Sequence, residues 1–118
     1  MWRLIDEATS EMKKLLVANG VRKFPSGMRF LDDRADWEKR KGYAGEKTIR
    51  SMRQQLEEAG WTEGDSSSGI SPDGSSAGNG DKYTSPDGRI VASMYSYYGC
   101  TSYDNSFHIT FKFVSPGS

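Results

Sequence analysis

The sequence predicts a small α+β domain in which two main helices pack on a C-terminal three-stranded antiparallel β-meander. Three C-terminal runs, 82–84, 89–98 and 107–114, are rich in β-branched and aromatic residues and are separated by turn residues. Two earlier segments, 3–19 and 46–59, carry apolar residues at the three- and four-residue spacing of amphipathic helices. Helices that precede a run of strands favour a helical layer on one face of an antiparallel sheet. A length of 118 residues suits a single domain.

The N-terminal helix is predicted to end at a glycine and to be followed by a small hairpin. Gly20 comes directly after the apolar stripe of 3–19, where a residue tolerant of positive φ ends many helices. The turn-forming run Pro25-Ser26-Gly27 then separates two short mixed runs, 21–24 and 28–31. We expect these two runs to pair with each other as an N-terminal hairpin.

The second main helix has the clearest periodicity in the chain. Its apolar stripe consists of Ile49, Met52, Leu56 and Ala59. Gly60 supplies the stop, as Gly20 does for the first helix. Trp61 follows immediately, and an aromatic ring at that position is expected to fold back onto the core.

The region between the second helix and the meander is predicted to be a flexible loop. Residues 64–80 are dominated by Gly and Ser, and Ile70 is the only large apolar side chain among them. The run Ser-Pro-Asp-Gly occurs at 71–74 and again at 85–88, which indicates two turns of the same chemistry. The tail 115–118 is expected to fray.

Composition favours an ordinary cytoplasmic protein without a cofactor. The formal net charge is zero, so charge alone implies neither a nucleic-acid nor a membrane partner. The single Cys excludes an intramolecular disulfide framework. The first residues carry charges where a signal peptide needs an apolar run, and no stretch approaches the ~20 apolar residues of a membrane span.

The first candidate site is a tyrosine cluster around the second turn of the meander. It consists of Tyr95, Tyr97, Tyr98 and Tyr103. These rings can simply cover a small sheet while their hydroxyls stay hydrated. Alternatively, they form a contact surface for another protein, because Tyr is enriched in binding hot spots and Ser adapts its hydrogen bonds. Stacking on bases or sugars is a third use of the same rings.

The second candidate site is the basic and aromatic segment 34–43. Most of it belongs to the run 32–41, which we expect to form a short helix. Asp36 and Arg40 stand four residues apart, as in an ion pair on a helix surface. Cations could hold phosphates while the rings stack on bases, and the residues for this role are Arg34, Trp37, Lys39, Arg40, Lys41 and Tyr43. Interleaved carboxylates such as Glu38 would repel phosphate, which favours a solvated helix face instead.

Two weaker patterns involve reactive or metal-binding residue types. Cys100 and His108 flank the last turn and could form a thiolate pair, but no nucleophile motif surrounds Cys100. The acidic residues of the loop, with Asp81 just after it, could offer oxygen ligands to Ca²⁺, but their spacing matches no EF-hand. We therefore expect no enzyme activity, no catalytic residues and no metal site.

The predicted function is that of a small non-enzymatic interaction protein. The run Leu56-Glu57-Glu58-Ala59-Gly60-Trp61 before a meander is similar to a pattern in many small bacterial and phage proteins. That pattern carries no chemistry, so it assigns no site residues. Together with the small size, it suggests a phage or mobile-element accessory factor that binds and inhibits a host protein through the Tyr/Ser-rich hairpin. The alternative is a nucleic-acid-binding module that uses residues 34–43.

Overall fold

A computed structural model of the chain describes residues 2–4, 10–31, 34–40, 43–64, 67–70, 76–99 and 106–114. In these residues nine strands and two helices follow one another along the chain. They are β1 (Trp2–Leu4), α1 (Ser10–Ala18), β2 (Lys23–Pro25), β3 (Arg29–Leu31), β4 (Arg34–Arg40), α2 (Tyr43–Glu58), β5 (Thr62–Glu63), β6 (Ser67–Ile70), β7 (Ser76–Thr84), β8 (Ile90–Gly99) and β9 (Ser106–Phe113). The class is α+β, as the sequence predicts.

The prediction of two helices on a three-stranded meander is wrong in the extent of the sheet. Six antiparallel strands run in the order β3-β4-β9-β8-β7-β5, and β6 pairs with β7 beside β5. The predicted meander is present as β7, β8 and β9. It forms the middle of the sheet because β4 adds to the free edge of β9 over six residue pairs.

The predicted helix over 32–41 is wrong, because its described residues, 34–40, form strand β4. Ala35 and Trp37 are buried at 0% and 6% exposure, whereas Glu38 is exposed and Asp36 is half-buried. This alternation with period two is the pattern of a strand with one buried face. Asp36 forms ion pairs with Arg29 and Arg34. Packing against β9 therefore overrides the local helical spacing.

The predicted N-terminal hairpin is also wrong. β2 pairs with β1, and β3 pairs with β4, so the two runs around Pro25-Ser26-Gly27 belong to different sheets. The turn itself forms as expected: the Met28 N–H donates to the Pro25 carbonyl at 3.2 Å, and Gly27 has φ +90°. Turn chemistry predicted a chain reversal here, but it could not predict which strand each arm would meet.

Both helices end in the same glycine motif, as their sequences indicate. The Val21 N–H donates to the Leu16 carbonyl at 2.9 Å, and the Trp61 N–H donates to the Leu56 carbonyl at 3.0 Å. Gly20 and Gly60 have φ of +87° and +89°, which completes a Schellman ending in each case. Trp61 is 5% exposed, so it does fold back onto the core. Its ring Nε1–H donates to the Asn19 carbonyl at 2.8 Å and ties the two helix ends together.

The segment 64–80, which the sequence predicted as a loop, contains β6 and the first half of β7. The Gly64 N–H donates to the Lys82 carbonyl at 2.7 Å, so β5 and β6 lie one after the other along the same edge of β7. The predicted turn at 85–88 is present, with the Gly88 N–H donating to the Ser85 carbonyl at 2.9 Å. The tail 115–118 lies outside the described residues.

Candidate binding surface

The two helices cover only one face of the large sheet. The buried core is a single cluster that joins the apolar side chains of both helices to one side of four strands. Its largest fully buried members are Met12, Leu16, Met52, Leu56, Tyr83, Ile90, Met94, Phe107, Ile109 and Phe111. Because neighbouring residues of a strand point to opposite faces, the residues between these core positions form a second face.

The second face, which we call the open face, is polar and incompletely buried. Its described side chains belong to Arg29, Arg34, Asp36, Glu38, Thr62, Lys82, Thr84, Val91, Ser93, Tyr95, His108, Thr110 and Lys112. All of these side chains are half-buried or exposed. The open face is therefore a layer of the molecule that no described helix covers.

Tyr95 of β8 lies in the end row of the described open face, one row beyond Ser93 and Lys82. Tyr95 is paired with His108 of β9, and His108 is paired in turn with Glu38 of β4. The three residues therefore form one row across three strands. His108 Nδ1 lies 3.9 Å from Glu38 Oε2, and the two side chains are 33% and 39% exposed. On its other side Tyr95 is opposite Gly80, which has no side chain to cover the phenol ring.

One end of the open face carries three cations and one carboxylate. Asp36 Oδ1 lies 3.7 Å from Arg29 Nε, and Asp36 Oδ2 lies 3.5 Å from an Arg34 guanidinium nitrogen. Asp36 is 20% exposed, and its Oδ1 is buried without a hydrogen-bond partner. Lys112 follows Phe111, which is paired with Ala35, so its register position lies next to Arg34. We call Arg29, Arg34 and Lys112 the cationic corner.

The predicted tyrosine cluster is divided by the sheet. Strand alternation places positions 95 and 97 on the open face, where position 97 is paired with Ser106. Position 98 is paired with Ala77 and belongs to the opposite face. Tyr103 lies outside the described residues. The structure therefore brings Tyr95 and position 97 to one surface and does not place Tyr98 with them.

The predicted nucleic-acid segment is divided in the same way. Arg34 is exposed on the open face, whereas Trp37 and Lys39 fall on the helix-bearing face of β4. The Trp37 ring is 6% exposed and its Nε1–H donates to the Ser26 carbonyl at 3.2 Å, so the ring has no free surface for a base. Arg40 ends β4 and Tyr43 begins α2, and Lys41 lies outside the described residues.

The reactive and metal-binding patterns find no shared site among the described residues. Cys100 lies outside that part of the chain, while His108 faces Glu38 and Tyr95. Asp81 accepts a hydrogen bond from the guanidinium group of Arg53 in α2. Within the described ranges no three His, Cys, Asp or Glu side chains come close enough to hold a metal ion. The same ranges contain no helix with the length and apolar character that a membrane span requires.

A second polar cluster joins α2 to β7 on the helix-bearing face. Burial, and then a hydrogen bond to Glu57, raise the pKa of Tyr83 well above its ordinary value, and its hydroxyl donates to Glu57 Oε1 at 3.0 Å. With Tyr83 only 1% exposed, this phenol stays protonated and serves packing. The cluster is thus a support for the helix layer and not a site for a ligand.

Two adjoining surface clefts, of about 330 and 520 Å³, lie where β2 meets α2. Gln55 lines both clefts, and its polar atoms are already used. Its Oε1 accepts the backbone N–H groups of Arg22 and Lys23 at 2.8 and 3.2 Å, and its Nε2 donates to the Lys23 carbonyl at 3.2 Å. These bonds attach the small N-terminal sheet to the helix, so the clefts are weaker candidates than the open face.

Sequence reasoning missed most of the open face. The alternation of His108, Thr110 and Lys112 with the Phe residues did indicate a polar face on β9. What it could not indicate was that Asp36 and Glu38 lie beside that face, because their segment was predicted to be a helix.

No protein-family model, curated protein or solved structure matches this chain.

Proposed function

We propose that this chain is a non-catalytic interaction protein that binds another protein across the open face. The observation that carries the proposal is a sheet with one face under two helices and the other face polar, half-exposed and carrying Tyr95. A tyrosine on such a face supplies a large contact area at low entropic cost. This keeps the predicted role of the hairpin but replaces the tyrosine cluster with a wider surface.

The size of the open face favours a transient complex. Six strands at a spacing of about 4.8 Å and three rows about 7 Å apart give roughly 600 Å² of flat surface. A standard interface buries about 800 Å² on each partner, so this surface lies below that class. We therefore expect the affinity to depend on a small number of anchors, with Tyr95 among them.

The narrower prediction, that the partner is a host protein inhibited by a phage or mobile-element factor in the cytoplasm, rests on the size and style of the sequence. The nucleic-acid alternative has less support, because Trp37 is buried and Lys39 lies on the other face from Arg34.

A matched pair of aromatic truncations tests the proposal. Tyr95→Ala removes a half-buried ring from the open face, and Phe113→Ala removes a ring that is 37% exposed on the helix-bearing face of the neighbouring strand. The three proteins are used to capture partners from a bacterial lysate, and a captured protein is identified by mass spectrometry, purified and titrated. We expect Tyr95→Ala to weaken binding at least about tenfold, which is the scale of an aromatic hot spot. Phe113→Ala should leave binding within about twofold.

Circular dichroism and the urea midpoint are measured for both variants. A loss of binding then counts only for a variant that is folded. Equal binding by wild type and Tyr95→Ala, with both folded, would reject the open face as the contact surface.

A further inference from the structure

We infer that the partner presents an acidic segment whose carboxylates dock on the cations of the open face. This inference rests on the proposed function, because it names the chemistry of the partner at the same surface. The occupant is a stretch of another protein rich in Asp or Glu, laid across strands β9, β8 and β7.

The open face has an excess of cations in a chain whose formal charge is zero. Its described side chains include four cations, Arg29, Arg34, Lys82 and Lys112. They include only two carboxylates, those of Asp36 and Glu38. Such a local excess of cations attracts a negatively charged surface.

The two carboxylates are already engaged within the face. Asp36 is shared between Arg29 and Arg34, and Glu38 lies beside His108. Among the described residues, Lys82 and Lys112 have no ion-pair partner, and both are exposed. The face thus has two cations ready for an external anion.

The cationic corner has an internal electrostatic cost. Arg34 and Lys112 occupy adjacent register positions on β4 and β9, and like charges that face each other across two strands are destabilising. Asp36 offsets part of this repulsion for Arg34 but lies one row away from Lys112. A carboxylate placed between Lys112 and Arg34 would convert the repulsion into attraction. The corner is consequently better suited to the bound state than to the free one.

The spacing of the two lysines fits an extended acidic segment. Lys82 and Lys112 are separated by two strand spacings and by one step along the strands, which is about 12 Å in total. In an extended chain, carboxylates four residues apart are separated by about 13 Å. One such segment can therefore reach both lysines by crossing β8 between Ser93 and Val91, with Tyr95 in the row beyond Lys82.

The same face is poorly suited to single-stranded nucleic acid. Such proteins stack successive bases on aromatic rings spread along a groove, whereas the tyrosine positions on this face, 95 and 97, are neighbours on one strand. Asp36 and Glu38 lie in the middle of β4 and would repel phosphates. A segment of protein with spaced carboxylates can avoid these two positions, while a continuous phosphate backbone cannot.

The test uses fluorescent peptides of defined chemistry and a charge-matched pair of variants. The probes are a twelve-residue peptide with Glu at every fourth position and a central Tyr, the same peptide with Gln in place of Glu, and a twelve-residue oligo-dT. Lys82→Glu with Lys112→Glu reverses two charges on the open face. Lys14→Glu with Lys47→Glu reverses two exposed charges on the helices and keeps the net charge of the two proteins equal.

We expect the Glu peptide to bind wild type more tightly than the Gln peptide, with an affinity that falls as salt is added. The open-face double variant should weaken this binding by about tenfold or more, because two attractions are lost and two repulsions are created. The helix double variant should change it by less than about threefold.

Each other outcome overturns the inference. Equal binding of the Glu and Gln peptides would show that carboxylates are not recognised. Equal weakening by both double variants would show a general charge effect without a site. Tighter binding of oligo-dT than of the Glu peptide would show that the open face prefers nucleic acid to an acidic protein segment. Loss of the captured partner in Tyr95→Ala, with no change in the open-face double variant, would reject the acidic segment and leave the proposed function standing.

Discussion

Replacing Gly20 by Ala should destabilise the fold more than the same change at Gly27. Gly20 ends α1 with φ +87°, and a Cβ added there would lie 2.6 Å from the Cβ of Ala59, just after α2. Gly27 has φ +90°, but a Cβ at that position would meet no atom within 4 Å. Both glycines require the left-handed region, so Gly27→Ala is a matched control for backbone strain alone.

The two effects can be separated in magnitude. A left-handed Ala costs about 1–2 kcal/mol, and the stiffer unfolded chain returns about 0.4–1 kcal/mol. The free energy of unfolding of both variants should therefore fall by roughly 1 kcal/mol because of backbone strain. Gly20→Ala should lose a further 1–3 kcal/mol or so, the usual cost of forcing a methyl group into a filled contact between packed elements.

Urea unfolding followed by circular dichroism at 222 nm measures both variants. With a slope of about 1–3 kcal/mol per molar urea, the extra loss should move the midpoint by roughly 1 M. A double-mutant cycle with Ala59→Gly isolates the contact, because removing the Ala59 methyl should leave Gly20→Ala no more costly than Gly27→Ala. Equal losses at Gly20 and Gly27, or a coupling below about 0.5 kcal/mol with Ala59, would refute the close approach of the two helix ends.

Two further predictions concern the turn after β7 and the start of α2. Burial alone would raise the pKa of Asp87, but hydrogen bonds with Asn19, Ser85 and the Arg89 backbone N–H outweigh it and hold the pKa below the ordinary value of 3.8. The stability that ionised Asp87 contributes is therefore present above about pH 4 and is lost as the pH falls below that. Asp87→Ala should be less stable than wild type by about 1–2 kcal/mol in urea titrations from pH 7 to pH 4. This difference in stability should shrink at pH 3. A difference that stays constant down to pH 3 would contradict the role given to ionised Asp87. Gly45→Ala should destabilise by about 1–3 kcal/mol despite the better helix propensity of Ala, because its Cβ would lie 2.6 Å from the buried Phe107 ring. A thermal midpoint equal to or above that of wild type would show that α2 does not approach β9 so closely.

Local chemistry in the sequence predicted the features that depend on a few neighbouring residues. Gly20 and Gly60 end their helices because only a residue tolerant of positive φ allows the Schellman bonds. The turn at 85–88 and the alternation along β9 follow from Pro and Gly conformations and from the two faces of a strand. These outcomes need no knowledge of which distant element the segment will meet.

The structure corrected the features that depend on distant partners. Asp36 and Arg40 have the spacing of a helical ion pair, but burial of Ala35 and Trp37 beside β9 makes this segment a strand. The arms around Pro25-Ser26-Gly27 separate into two sheets, since β1 and β4 offer each arm a better partner than the other arm does.

The candidate surface belongs to this second group. The sequence determined that Tyr95 and Lys112 lie on strands, and that His108 and Lys112 share the less apolar side of β9. Only the tertiary structure decided that Arg34, Asp36 and Glu38 lie beside them and that both helices pack on the opposite face. The physical reason is that strand pairing joins residues about 70 positions apart, such as Trp37 and Ile109, and the free energy of such contacts is not encoded in any local window.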